Sequence, residues 1–136
     1  MPHPSELAKD DPRQLRILFE RATWLSRAHQ VPAVFVGVAG EEGDLLARDF
    51  LDFVESELRV EDAIFRMLRE RAVLLLSDLD EKGAARVMER LQTEFASRFA
   101  PRTDMPFALA YYAVAPGRTP TIKDVLPAIF SGPNRS

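Results

Sequence analysis

The sequence predicts an α+β fold: a ferredoxin-like, antiparallel-rich sheet with helices, preceded by one N-terminal helix. Three observations predict it. Short apolar or β-branched runs alternate with amphipathic stretches of helical period in the order helix, strand, helix, strand, strand, helix, strand, helix. Two of the strand-like runs, Ala63–Leu68 and Ala72–Leu76, are separated only by the charged triplet Arg69-Glu70-Arg71, a hairpin pattern with a polar tip. The 136 residues, 46% hydrophobic and 29% charged, suit one domain that has a core to bury.

Residues 1–10 carry two prolines and no apolar period, so a flexible tail is expected there, with the domain over 11–130 and a second tail over 131–136. Asp11-Pro12-Arg13-Gln14 is a helix start: an acidic cap, proline at the first helical position, and glutamine three residues past the cap. Leu15, Leu18, Phe19, Ala22 and Leu25 then form one stripe, with Trp24 widening it, and this apolar face is expected in the core. The helix runs to about His29 and Pro32 ends it. Ala33–Ala39 reads as a buried strand, bounded by proline and glycine. Gly40-Glu-Glu-Gly43 is a turn, and Ala47, Phe50, Leu51, Val54 and Leu58 mark a helix over Asp44–Leu58. After the hairpin, Asp78-Leu-Asp-Glu81 can cap a helix whose stripe is Ala84, Met88, Leu91, Phe95 and Phe99, stopped by Pro101. Phe107–Val114 is a strand in which Phe107, Tyr111 and Tyr112 are expected to pack. Ile122, Val125, Leu126 and Ile129 belong to a last helix that Pro127 should kink or end. In this arrangement the helices are expected to cover one face of the sheet.

Composition narrows the function. Eighteen Lys and Arg against 21 Asp and Glu leave a net charge of −3, too balanced for a generic nucleic-acid binder, so no nucleic-acid partner is expected. Cysteine is absent and histidine numbers two, His3 and His29, which disfavours disulfide scaffolds, thiol nucleophiles, zinc sites and His-based triads. The longest apolar run, Val31–Gly40, is far short of the ~20 residues of a membrane helix, and Met1–Leu7 lacks a basic segment leading into an apolar one. No membrane insertion and a cytoplasmic location are expected.

Four segments carry a family resemblance: Gly43-Asp44-Leu-Leu-Ala-Arg-Asp-Phe-Leu, Arg59-Val-Glu-Asp62-Ala-Ile-Phe-Arg66, the hairpin, and Glu81-Lys-Gly-Ala84 leading to Glu89-Arg90-Leu91. They resemble the Gly-Asp-x-x-Leu helix, the Arg-x-x-Asp segment, the arginine shortly before the signature, and the Ala-x-x-x-x-Glu-Arg-Leu helix of bacterial GGDEF domains. These condense two GTP molecules into cyclic di-GMP (c-di-GMP) on a nucleotidyl-cyclase version of the same fold. The likeness spans most of 11–130.

Against that family the chain departs where catalysis would sit. The Gly-Gly-Asp/Glu-Glu-Phe signature falls on Leu68-Arg69-Glu70-Arg71-Ala72, without the glycines that let backbone approach a guanine nucleotide. Gly37 and Ala39 stand in place of the Asp-x-Asp metal ligands, and Glu70 alone keeps a carboxylate. The strand-to-helix loop is shortened, and Asp44 matches a guanine-contacting aspartate whose partner is missing. The resemblance therefore implies no catalytic residues, no metal, no cofactor and no cyclase activity, and Glu70 between Arg69 and Arg71 is expected as a soluble hairpin tip.

What the resemblance does preserve is the inhibitory, product-binding Arg-x-x-Asp motif, at Arg59 and Asp62, with Arg90 in the place of a further ligand-contacting arginine. An arginine fork can bond the N7 and O6 edge of guanine or stack on its face, and a carboxylate can accept from its amino group. The function this implies is a catalytically inactive regulatory domain that binds c-di-GMP. The alternative is a nucleotide-independent interaction or scaffold module, with the face of the first helix as its contact to a protein partner or a second copy, and with Arg59, Asp62 and Arg90 as surface charges whose exposed ion pair is worth at most ~1 kcal/mol.

Overall fold

A computed structural model describes residues 11–41, 43–68, 70–99 and 107–130. The two expected tails, Glu42, Arg69 and Pro101 lie outside them. Eight elements follow one another as expected: α1 (Pro12–Ala28), β1 (Ala33–Ala39), α2 (Leu45–Glu57), β2 (Ala63–Leu68), β3 (Arg71–Ser77), α3 (Glu81–Phe99), β4 (Ala108–Val114) and α4 (Ile122–Phe130). Local chemistry sets their starts. Asp11 accepts the Arg13 amide at 2.9 Å with Pro12 at the first turn of α1. Asp44 accepts the Leu46 and Ala47 amides at the head of α2, and Asp80 accepts the Gly83 amide at the head of α3. Helix α4 continues through Pro127 to Phe130 instead of ending there, because it is held by Val125 and Ile129, buried against the sheet.

The sheet is antiparallel throughout, in the order β2-β3-β1-β4. Along β1, alternate side chains go to opposite faces. Val34, Val36 and Val38 face α2 and α3 in a core built on Phe50, which stacks on Phe107 at 4.7 Å and meets Phe95 edge-on at 5.4 Å. Ala33 and Phe35 face α1 and α4, with Phe19 stacked on Phe35 at 4.4 Å. Helices thus cover both faces, not one. The expectation failed because a β1 that is apolar on both faces needs a lid on each side, and α1 and α4 supply the second.

Trp24 is a second correction. It is 56% exposed and packs edge-on against His29, because on α1 it points away from the stripe of Leu18, Phe19 and Ala22 that meets the sheet. Phe99, expected on the α3 stripe, is likewise exposed at the last turn. Phe107 is buried, and Tyr111 and Tyr112 pack partly buried on opposite faces of β4, as expected of packing residues.

Candidate functional site

Helix α2 ends because Leu58 turns to extended backbone, and residues 59–62 then form a tight turn in which the Asp62 amide donates to Arg59 O at 3.0 Å. The Arg-x-x-Asp spacing brings the two side chains together. Arg59 Nε donates to Asp62 Oδ2 at 2.9 Å and Nη2 to Oδ1 at 3.1 Å. The remaining Nη2 hydrogen reaches Ser77 O at 2.7 Å, and the Ser77 amide donates to Asp62 Oδ1 at 3.0 Å. The Arg59 amide adds a longer bond to Oδ2 at 3.3 Å. Glu61 O accepts from Ser77 Oγ at 2.8 Å and from Arg21 Nη2 of α1 at 3.1 Å. The turn is therefore pinned to β3 and α1 at once.

Two consequences follow for its chemistry. Four donors meet the Asp62 carboxylate, which fills its roughly four lone-pair positions, and its side chain is only 4% exposed. The expected exposed ion pair is in truth half-buried: the aspartate is enclosed while the Arg59 side chain stays 47% exposed. Arg59 has spent Nε and Nη2, and keeps Nη1 without a partner among the described residues. It presents a guanidinium face and the Nη1 corner to solvent, in a fixed orientation. Bonding to Asp62 first, and the neighbouring carboxylates of Glu61 and Asp78 as lesser influences, raise the already high pKa of Arg59, so it is a permanent cation.

Arg90 is on the exposed side of α3, 63% accessible, and its nearest charge is Glu94 at 3.9 Å. No hydrogen bond or ion pair joins it to Arg59 or Asp62. Arg21 and Ser77, which brace the turn, were not singled out from sequence, since their partners are 40 and 15 to 18 residues distant.

The hairpin tip differs from expectation. Glu70 is buried, 7% exposed, because Glu70 O accepts the Gly40 amide at 2.8 Å and draws the tip onto the end of β1. Arg71 starts β3 and sets its guanidinium over the Phe130 ring at 5.4 Å, so it belongs to the strand and not to a charged tip. A Cβ on Gly40 would collide with Ala47 Cβ, so the loop is packed tight against α2. Asp44 spends Oδ1 on capping α2. Gly37 faces α4, where a Cβ would lie 2.8 Å from both Cβ and O of Ile129. A carboxylate has no room at 37, and among the described residues no three His, Cys, Asp or Glu side chains gather as metal ligands. Among the described residues, Gly37, Ala39 and a single carboxylate at Glu70 do not fit the divalent metal site that the resemblance would imply.

No protein-family model matches the chain, and no curated protein does. Solved structures do. PelD from Pseudomonas aeruginosa PA14, in complex with c-di-GMP, is 20% identical with a TM-score of 0.66 over 89% of this chain and 45% of that one. PelD from strain PAO1 is 22% identical with a TM-score of 0.62 over 82% of this chain and 41% of that one. A DGC (diguanylate cyclase) protein from Thermotoga maritima is 16% identical with a TM-score of 0.63 over 95% of both chains. The fold is that of a GGDEF-like domain. It is shared by a protein solved with c-di-GMP and by a diguanylate cyclase, and the chain spans less than half the length of the PelD chains that it matches.

Proposed function

We propose that this chain is a receptor module for c-di-GMP without cyclase activity, reading its ligand at the Arg59–Asp62 turn. The observation that carries the reading is the posture of Arg59: a permanent cation, half exposed, held flat by Asp62 and Ser77 O with Nη1 unspent. Pre-orienting the group that meets the ligand lowers the ordering cost of binding. Because the edge formed by Nε and Nη2 is committed to Asp62, the geometry favours stacking of guanine on the guanidinium face, with Nη1 donating to the ligand, over a bidentate N7 and O6 contact. Asp62 serves as the holder of Arg59, and it accepts from the guanine amino group only by giving up one of its four bonds. Arg90, exposed and loosely paired, is the arginine we assign to a phosphate. The fold that the chain shares with PelD in its c-di-GMP complex supports this reading.

Inactivity as a cyclase rests on the filled space at Gly37 and on the capping role of Asp44. A bacterial, cytoplasmic setting and a protein partner downstream go with the reading, and neither a cofactor nor nucleic acid enters it. Calorimetric titration with c-di-GMP tests it. Saturable binding at micromolar ligand, with GTP and GMP much weaker, is expected; no heat at ~100 μM, well above a micromolar dissociation constant, would leave the nucleotide-independent interaction module as the better reading.

A further inference from the structure

We infer that a second copy of this chain pairs with it edge to edge through β4, making one sheet of the two. The inference is independent of the ligand reading. Gly40 N donates to Glu70 O and Asp78 N to Pro32 O, both at 2.8 Å and both in line with the β1–β3 register. The even-numbered residues of β1 therefore bond towards β3 and the odd-numbered ones towards β4. Through the register that pairs Ala33 with Val114 and Ala39 with Ala108, it is Ala108, Ala110, Tyr112 and Val114 that bond to β1. The backbone N–H and C=O groups of Leu109, Tyr111 and Ala113 point off the sheet, and no described residue meets them.

The two edges of this sheet are treated differently. On β2 the register shifts between Arg66 and Leu68, and Arg66 crosses to Asp52 and Glu55 of α2, so that edge carries both a bulge and a charge. The β4 segment Ala-Leu-Ala-Tyr-Tyr-Ala-Val has no charge, no proline and no irregularity in its pairing. Such an edge is a template for another strand.

The strand is complementary to itself, which selects a second copy as the occupant. A two-fold axis through Tyr111 is the antiparallel register that matches all seven residues of one β4 with all seven of the other. It sets Tyr111 against Tyr111, Ala110 against Tyr112, Leu109 against Ala113 and Ala108 against Val114, so each off-centre pair joins a small side chain to a larger one. The outward groups fall in the hydrogen-bonded positions of this pairing: Leu109 with Ala113, Tyr111 with Tyr111, and Ala113 with Leu109, each exchanging both bonds.

Light scattering on the unmodified chain at ~100 μM, with amide hydrogen exchange at two concentrations, tests this. The expected result is twice the mass of the chain, with the amides of Leu109, Tyr111 and Ala113 slowing as concentration rises. Ala113→Pro keeps the β1–β4 bonds, since the Ala113 amide points outward, and should weaken the dimer at least ~10-fold while circular dichroism is unchanged. Ala113→Lys is the second variant, with the same expectation. A monomer at ~100 μM, a species larger than a dimer, or a dimer in which those three amides exchange freely and both variants stay dimeric would overturn the inference. If the proline variant fails to fold, the exchange data on the unmodified chain decide.

Discussion

The Arg59 guanidinium is bound edge-on by the Asp62 carboxylate, at 2.9 and 3.1 Å, and the same carboxylate takes the amide of Ser77 at the end of β3. One ion pair thus both aims a candidate ligand-binding cation and closes the start of β2 onto β3. In the function proposed above, Asp62 would couple stability to recognition.

Arg59→Ala should weaken c-di-GMP binding by roughly 10- to 100-fold, the loss of one or two charge-assisted contacts. It should also lower stability by about 1–3 kcal/mol, because an almost fully enclosed carboxylate loses its partner; this exceeds the ~1 kcal/mol of an exposed pair. Urea unfolding beside calorimetry separates the two effects. Arg90→Ala, at a 63% exposed position, should weaken binding less and leave the urea midpoint in place.

Incubation with GTP and Mg²⁺ or Mn²⁺ should yield no c-di-GMP by chromatography. Restoring a carboxylate by Gly37→Asp should not rescue it. The new side chain meets Ile129 of α4 at 2.8 Å already at its Cβ, and the substitution should cost on the order of 1–3 kcal/mol by overpacking. Product above a no-protein control, abolished by Glu70→Ala, would show that the site retains activity.

Phe50→Ala should be the most damaging single truncation tested, at about 3–5 kcal/mol, since Phe50 is fully buried between Phe95 and Phe107 and joins α2 to α3. Thermal unfolding followed by circular dichroism reads the cost. Trp24→Ala, which removes a largely exposed ring, should shift stability by no more than about 0.5 kcal/mol.

Tyr111 should titrate above the ordinary phenol range, because burial beneath α3 disfavours the phenolate and Glu81 and Glu89 add to it. A folded-state pKa raised above the unfolded one means that the contribution to stability is whole below the unfolded value, near ~10, and is lost as pH rises through the folded value. Ultraviolet difference titration should therefore show one tyrosine ionising late in the unmodified chain, and Tyr111→Phe should remove that step.

The order of elements, the cap Asp11, and the meeting of Arg59 with Asp62 were legible in the sequence, because each depends on residues within a turn or two of one another. Periodicity also revealed which sides of the strands and helices are apolar. Tertiary structure alone decided what covers each side. It placed α1 and α4 on a second face of the sheet, turned Trp24 outward, drew Glu70 under the end of β1 through the Gly40 amide, and enclosed Asp62 by the approach of Ser77 from β3. Burial is a property of neighbours that are distant along the chain, so a charge that looks like a solvated surface residue can become the buried anchor of a site. The same holds for β4: its composition marks a strand, but only the sheet order and register show that Leu109, Tyr111 and Ala113 face outward at an edge.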